Sequence, residues 1–160
     1  MITQEKIIEL FDYQNGNLIW KIDRTRGVKA GDVAGSINGM GYVSIGIQGK
    51  KYLAHRLIFL LHNGELPACI DHIDRNTQNN KIENLRAATH SQNQANTKSN
   101  SRNKSGAMGV SWEKRKKKWR AQLRVNGKCI HLGFFDKTNE AKQAYIFAKK
   151  KYFGEFSPQI

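Results

Sequence analysis

Cysteine is scarce: Cys69 and Cys129 are the only two in 160 residues. Two isolated thiols exclude a disulfide framework and a C-x-x-C zinc pair, so a reducing, cytoplasmic setting and no structural zinc are expected. Long apolar runs are also missing. The longest, LIFLL at 57–61, falls far short of the ~20 residues that span a bilayer, and MITQEKIIEL at the start lacks a signal-peptide pattern. No membrane partner is expected. Negative charge is sparse: 13 Asp and Glu against 27 Lys and Arg give a formal net charge of +14 and a pI near 10.0. An excess of that size points to a polyanionic partner. Its placement is uneven, because residues 1–97 carry 11 basic and 9 acidic side chains whereas residues 98–160 carry 16 and 4.

What is present suffices to fold. Hydrophobic residues make up 39% of the chain, and its length accommodates one ordinary core or two small ones. Thr3 ahead of Ile7, Ile8, Leu10 and Phe11 predicts a capped amphipathic helix that stops before an Asn15-Gly16 turn. NLIWKI, GYVSIGIQ and KYLAH read as strands of a small antiparallel sheet, with a hairpin turn at QGK. RLIFLLHNG (56–64) reads as a short buried helix ended by Gly64, and Thr89 as the N-cap of a helix through HSQNQANTK. SNSRNKSG (99–106) is polar and basic, which suits a linker between two domains. Beyond it, alternating strands joined by NGK form the strongest hairpin signal in the chain. A final helix, with Ala141, Ala144, Tyr145, Ala148 and Tyr152 at helical spacing, should pack across that sheet.

Within this basic chain, IDHID at 70–74 sets one histidine between two aspartates. Asp71 could give a hard cation a carboxylate oxygen, and His72 could supply a base. Such a pair alone is more often a surface hydrogen bond than a catalytic pair. The longer stretch DHIDRNTQNNKIENLRAATHSQNQAN (71–96) resembles the His-Asn-His (HNH) endonuclease motif, in the version of phage homing endonucleases whose third position is Asn. The lead-in GDVAG, GYVSIGI and YLAHRLIFLLHNG is similar to the β-rich region ahead of the motif in the same family.

The resemblance implies a ββα-metal (His-Me finger) fold around one Mg²⁺ or Mn²⁺ per active site, with Asp71 and Asn93 as ligands. It implies that His72 activates water and that Asn84 fixes the loop that orients His72. Asp74 reads as a turn residue ordering the Asn-rich loop. His55 is expected to be structural or phosphate-facing, and His62 to be satisfied at its helix end. His90 could assist the site. Arg56, Arg75 and Arg86 could touch phosphates or be solvated.

In KWRAQLRV (118–125) alternation sets Trp119, Ala121, Leu123 and Val125 on one face and Arg120, Gln122 and Arg124 on the other. In the next strand Ile130 and Leu132 should be core, leaving Cys129 and His131 beside the basic face. Arg and Gln are the types that read base edges. Residues 106–156 resemble the ethylene-response-factor type DNA-binding domain, in "GV" at 109–110, "KW" at 118–119, "LGFF" at 132–135 and the helix with EAKQAY. That family implies a three-stranded sheet on one helix, contacting double-stranded DNA. The matching contact positions are Arg115, Gln122, Arg124 and His131, with Lys117; Arg120 joins the expected DNA-binding residues from the strand alternation alone. Gln122 and His131 depart from the usual family residues, so no plant target sequence carries over.

An α+β architecture is therefore expected: an HNH nuclease domain at 1–98 with its core motif at 69–97, a basic linker at 99–106, and a DNA-binding domain at 107–160. The expected function is a site-selective, metal-dependent homing endonuclease that nicks one strand per centre, in the cytoplasm of a bacterial host if phage-encoded. No protein partner is implied. A DNA-binding regulator with an inactive nuclease centre is the alternative from another class, and a non-specific nuclease is a third.

Overall fold

The computed structural model describes residues 2–25, 27–97 and 105–157. Its contacts divide the chain into two compact units, Met1–Ala88 and Thr89–Ile160. The linker expected over 99–106 lies, up to residue 104, outside the described residues. Among the described residues no helix is long and apolar enough to cross a membrane.

In the first unit, helix α1 (Gln4–Leu10) begins at Thr3, whose hydroxyl accepts the Lys6 N–H, and it buries Ile7 and Leu10. Strands β1 (Phe11–Gln14) and β2 (Asn17–Trp20) form a hairpin through Asn15 and Gly16, at φ 48° and 90°. A two-residue turn with both φ positive matches the right-handed twist of its strands, which is why Asn-Gly is found there. Across the hairpin Phe11 packs on Trp20 with ring centroids 4.3 Å apart. Strands β3 (Ser36–Ile37), β4 (Val43–Ile47) and β5 (Lys50–Leu53) form an antiparallel sheet in that order. Helix α2 (Ala54–Asn63) follows β5 directly and starts two residues before the span read from sequence. It ends at Gly64, which is left-handed at φ 75° and donates its N–H to Leu60 O. Leu57 and Ile58 of α2, Ile45, and Leu18 form the centre of the core. Strands β6 (Cys69–His72) and β7 (Leu85–Ala88) then pair antiparallel, with Asp71 opposite Arg86 and His72 opposite Leu85.

The second unit opens with α3 (His90–Ala95), where Thr89 and Gln92 form a reciprocal capping box. Strands β8 (Val110–Glu113), β9 (Lys118–Val125) and β10 (Lys128–Phe135) form a sheet in the order β10-β9-β8, and α4 (Thr138–Phe153) packs on it. Asn126 and Gly127, at φ 49° and 79°, make the β9–β10 turn. Gly109 is held by crowding as well as by its φ of 68°: a Cβ there would lie 2.2 Å from the Tyr145 ring and 2.5 Å from Gln122 O. Helix α4 buries Ala141, Tyr145, Ala148 and Phe153. Tyr152, expected in that stripe, is exposed, because the apolar stripe passes through Phe153 instead.

Candidate functional site

Asp71 and His72 end strand β6, buried at 3% and 5% exposure. Cross-strand register sets Arg86 directly opposite Asp71, and its Nε and Nη2 reach Asp71 Oδ2 at 2.9 and 2.8 Å. Arg86 is thus an ion-pair partner of Asp71 rather than a solvated side chain. With both groups largely out of water, removing one would strand the other's charge.

His72 Nε2 lies 3.1 Å from Asn80 Oδ1. An amide oxygen only accepts, so Nε2 carries the proton in this bond, and in the neutral ring the lone pair sits on Nδ1. Asn80 is 3% exposed. Nothing in the sequence singles it out from the neighbouring Asn76, Asn79 and Asn84; its place in the loop decides its role.

The loop between β6 and β7 is organised by Asn84 and Asp74. Asn84 donates through Nδ2 to Asp74 Oδ1 and Asn79 O, and accepts the Asp74 N–H at its own Oδ1. Its backbone carbonyl accepts the Ile73 N–H. Asp74 in turn accepts the Asn76 N–H at Oδ1 and the Asn79 amide at Oδ2. Partial burial alone would raise the Asp74 pKa, but the hydrogen bonds from Asn79, Asn76 and Asn84, with His72 nearby, together hold it below the ordinary carboxylate range. The loop also docks on the preceding hairpins. Thr77 donates to Gly41 O, Ile82 N–H donates to the Tyr13 hydroxyl, and a Cβ at Gly16 would come within 2.9 Å of Lys81 N.

His55, from the first turn of α2, packs edge-on against His72 with ring centroids 5.0 Å apart, and Tyr42 lies 5.3 Å from His55. Burial, helped by the charges of His72 and Arg56, pushes the His55 pKa down to about 4. His55 is therefore a neutral ring in the wall of the site at neutral pH. His62, at the far end of α2, bonds the Ile58 carbonyl through Nδ1 and stacks edge-on with Tyr13.

Asn93 lies on α3, half-buried, in the second unit, and His90 is the exposed first residue of that helix. Asp71, His72 and Asn84 all lie in the first unit, where Asn84 binds Asp74 and Asn79 of the loop that follows His72. Among the described residues no group of three or more His, Cys, Asp or Glu is placed to hold a metal ion. Asp71 and Asn93 both offer hard oxygen donors, the type that suits Mg²⁺ or Mn²⁺.

The sheet of the second unit presents Arg120, Gln122 and Arg124 on one face, while Ala121 and Leu123, at 0% and 4% exposure, face α4. His131 stands opposite Gln122, and Cys129 opposite Arg124. Arg115 and Lys117 lie exposed in the β8–β9 turn, Lys117 with a left-handed φ of 52°. Arg120 Nε is buried and makes no hydrogen bond among the described residues.

Residues 52–95 match the family model for an HNH endonuclease, and residues 105–155 match that for an AP2 domain. The chain is 38% identical over 76 residues to Protein 3.8 of Escherichia phage T7, covering 46% of this chain and 63% of that protein. It is 38% identical over 112 residues to an uncharacterized HNH endonuclease, L560, of Acanthamoeba polyphaga mimivirus, covering 68% of this chain and 57% of the relative. The chain thus spans less than two thirds of either relative's length. No solved structure matches it.

Proposed function

Because one chain carries an HNH endonuclease domain at 52–95 and an AP2 domain at 105–155, we propose that it is a site-selective, divalent-metal-dependent DNA endonuclease of the homing type. In this reading the nuclease domain runs through residue 98 with α3 included, residues 99–106 form a linker, and residues 107–160 select double-stranded DNA. The observation that carries it is the arrangement at the end of β6. A buried His72, its proton fixed on Nε2 by Asn80, sits in sequence beside a carboxylate able to take a hard cation.

His72 Nδ1 is the base that takes the proton from the attacking water, and the Nε2–H bond to Asn80 spreads the charge so gained. Asn84 keeps the β6–β7 loop closed, which fixes Asn80 and through it the imidazole. In this reading Asp71 and Asn93 would be the residues that hold one Mg²⁺ or Mn²⁺. When bound, the metal supplies Lewis-acid stabilisation of charge on the phosphate. Water attack at phosphorus with loss of the 3′-oxygen leaves 3′-hydroxyl and 5′-phosphate ends. One centre cuts one strand, so a monomer nicks. Arg115, Lys117, Arg120, Gln122, Arg124 and His131 contact the DNA.

One observation favours a second reading, a DNA-binding protein with a silent nuclease centre: the Asp71 carboxylate is engaged by Arg86. The two separate in one experiment. Supercoiled DNA carrying the gene's own flanking sequence is incubated with the protein and Mg²⁺ or Mn²⁺, alongside His72→Ala, Asp71→Ala and EDTA controls. Conversion to open circle by the wild type alone supports the nickase. Tight binding without cleavage in either metal leaves the silent-centre reading.

A further inference from the structure

Strand β10 carries a bulge at Leu132. His131 stands opposite Gln122, but the next paired residue is Gly133, opposite Ala121. In a regular strand residues 131, 133 and 135 would share one face, and Phe134 would turn toward the helix. The extra residue reverses this. Phe134 stands opposite Arg120, on the basic face, 4.6 Å from the His131 ring and with Lys116 Nζ 3.8 Å above its centroid. On the other side of Arg120 lies Ser111. The cationic face thus carries, near the end of its edge strand, an apolar ring outside the buried core, next to Arg120, whose Nε is buried and makes no hydrogen bond among the described residues.

We propose that Phe134 and Arg120 together read a two-base step in the major groove, Phe134 packing on the C5-methyl of a thymine and Arg120 donating to the neighbouring guanine. This rests on the reading above that the sheet meets DNA. The major groove is where thymine shows its methyl and guanine its O6 and N7 acceptors, and the two side chains match those features one to one. Adjacent strands are ~4.8 Å apart and stacked bases ~3.4 Å, a difference of ~1.4 Å that the length of the Arg120 side chain can span, so neighbours across the sheet can meet neighbours along the groove. Lys116 leaves the ring for a phosphate by side-chain rotation alone, since it reaches Phe134 from the β8–β9 turn.

The test uses the full chain in EDTA. Sites are selected from random duplex DNA, and each thymine of the enriched site is then replaced singly by uracil, which removes the methyl and keeps the pairing. One replacement, next to a guanine whose 7-deaza analogue also weakens binding, should weaken the wild type about fourfold, the worth of one buried methyl. Phe134→Ser should lose the thymine–uracil distinction, and Phe134→Leu, still apolar, should keep it. Selective binding that ignores uracil at every position would overturn the proposal, as would unchanged discrimination by Phe134→Ser. Absence of any enriched sequence would instead remove the reading of the sheet as a site-selecting surface, and this proposal with it.

Discussion

At the scale of single residues, His72 can act as a base only if one particular ring nitrogen carries the lone pair, and Asn80 is the group that decides which. Replacing Asn80 by Ala removes that control while leaving His72 in place. Cleavage should fall by about 10- to 100-fold, the usual cost of losing such a support, with DNA affinity unchanged. A nicking assay beside a binding assay on the same preparation checks both halves. His55 gives a prediction about stability. Its pKa is held at about 4 when folded against ~6.5 unfolded. Above ~6.5 neither state is protonated there, and no penalty exists. Between those values the unfolded ring takes a proton that the folded ring refuses, so stability is lost as pH falls through this window. The loss is at most roughly 3 kcal/mol. Urea unfolding of wild type and His55→Gln at pH 7 and pH 4.5 isolates it: the wild type should lose more stability over that interval than the variant does.

At the scale of elements, two glycines of the second unit make a contrast. Gly127 sits in a turn at φ 79° with no atom within 4 Å of where a Cβ would be, whereas at Gly109 the Cβ would overlap Tyr145 and the Gln122 carbonyl. Gly127→Ala should cost about 1 kcal/mol, for backbone conformation alone. Gly109→Ala should cost several times as much, about 3 kcal/mol or more, because α4 must move off the sheet. Thermal melts of the two variants, followed by Trp fluorescence from Trp112 and Trp119, would reverse the argument if the two costs came out equal. The β6–β7 loop illustrates the same dependence on packing. Its hydrogen bonds run among Asp74, Asn79 and Asn84, and its position is set by Tyr13 of β1 and Gly41 of the β3–β4 connection, both far away in sequence.

At the scale of the whole molecule, the dominant fact is the charge asymmetry, with most of the +14 carried beyond residue 97. DNA affinity should therefore fall steeply with salt, since each neutralised phosphate releases counterions. If Arg124 contacts a phosphate, Arg124→Ala should lower the slope of log K against log salt by about one; if it reads a base, the slope should stay and sequence preference relax instead. His72→Ala should bind with the wild-type slope, because the loss is chemical. A shallower slope for His72→Ala would mean that the nuclease centre itself carries much of the phosphate contact.

The sequence by itself determined the composition-level answer and most of the local structure. Turns at Asn15-Gly16, Gln48-Gly49 and Asn126-Gly127, the helix stop at Gly64 and the cap at Thr89 were legible because each depends on the conformational preference of one or two adjacent residues. The motif around Asp71, His72 and Asn84 was legible because β6, its loop and β7 are contiguous in the chain. Three features were decided only by tertiary structure. The Asp71–Arg86 ion pair depends on the register of two strands, Asn80 was chosen from a run of similar asparagines by the way the loop folds back, and Phe134 faces outward because a bulge at Leu132 breaks the alternation that a sequence reading must assume. In each case the deciding quantity is a relation between segments, and such a relation has no signature in either segment alone.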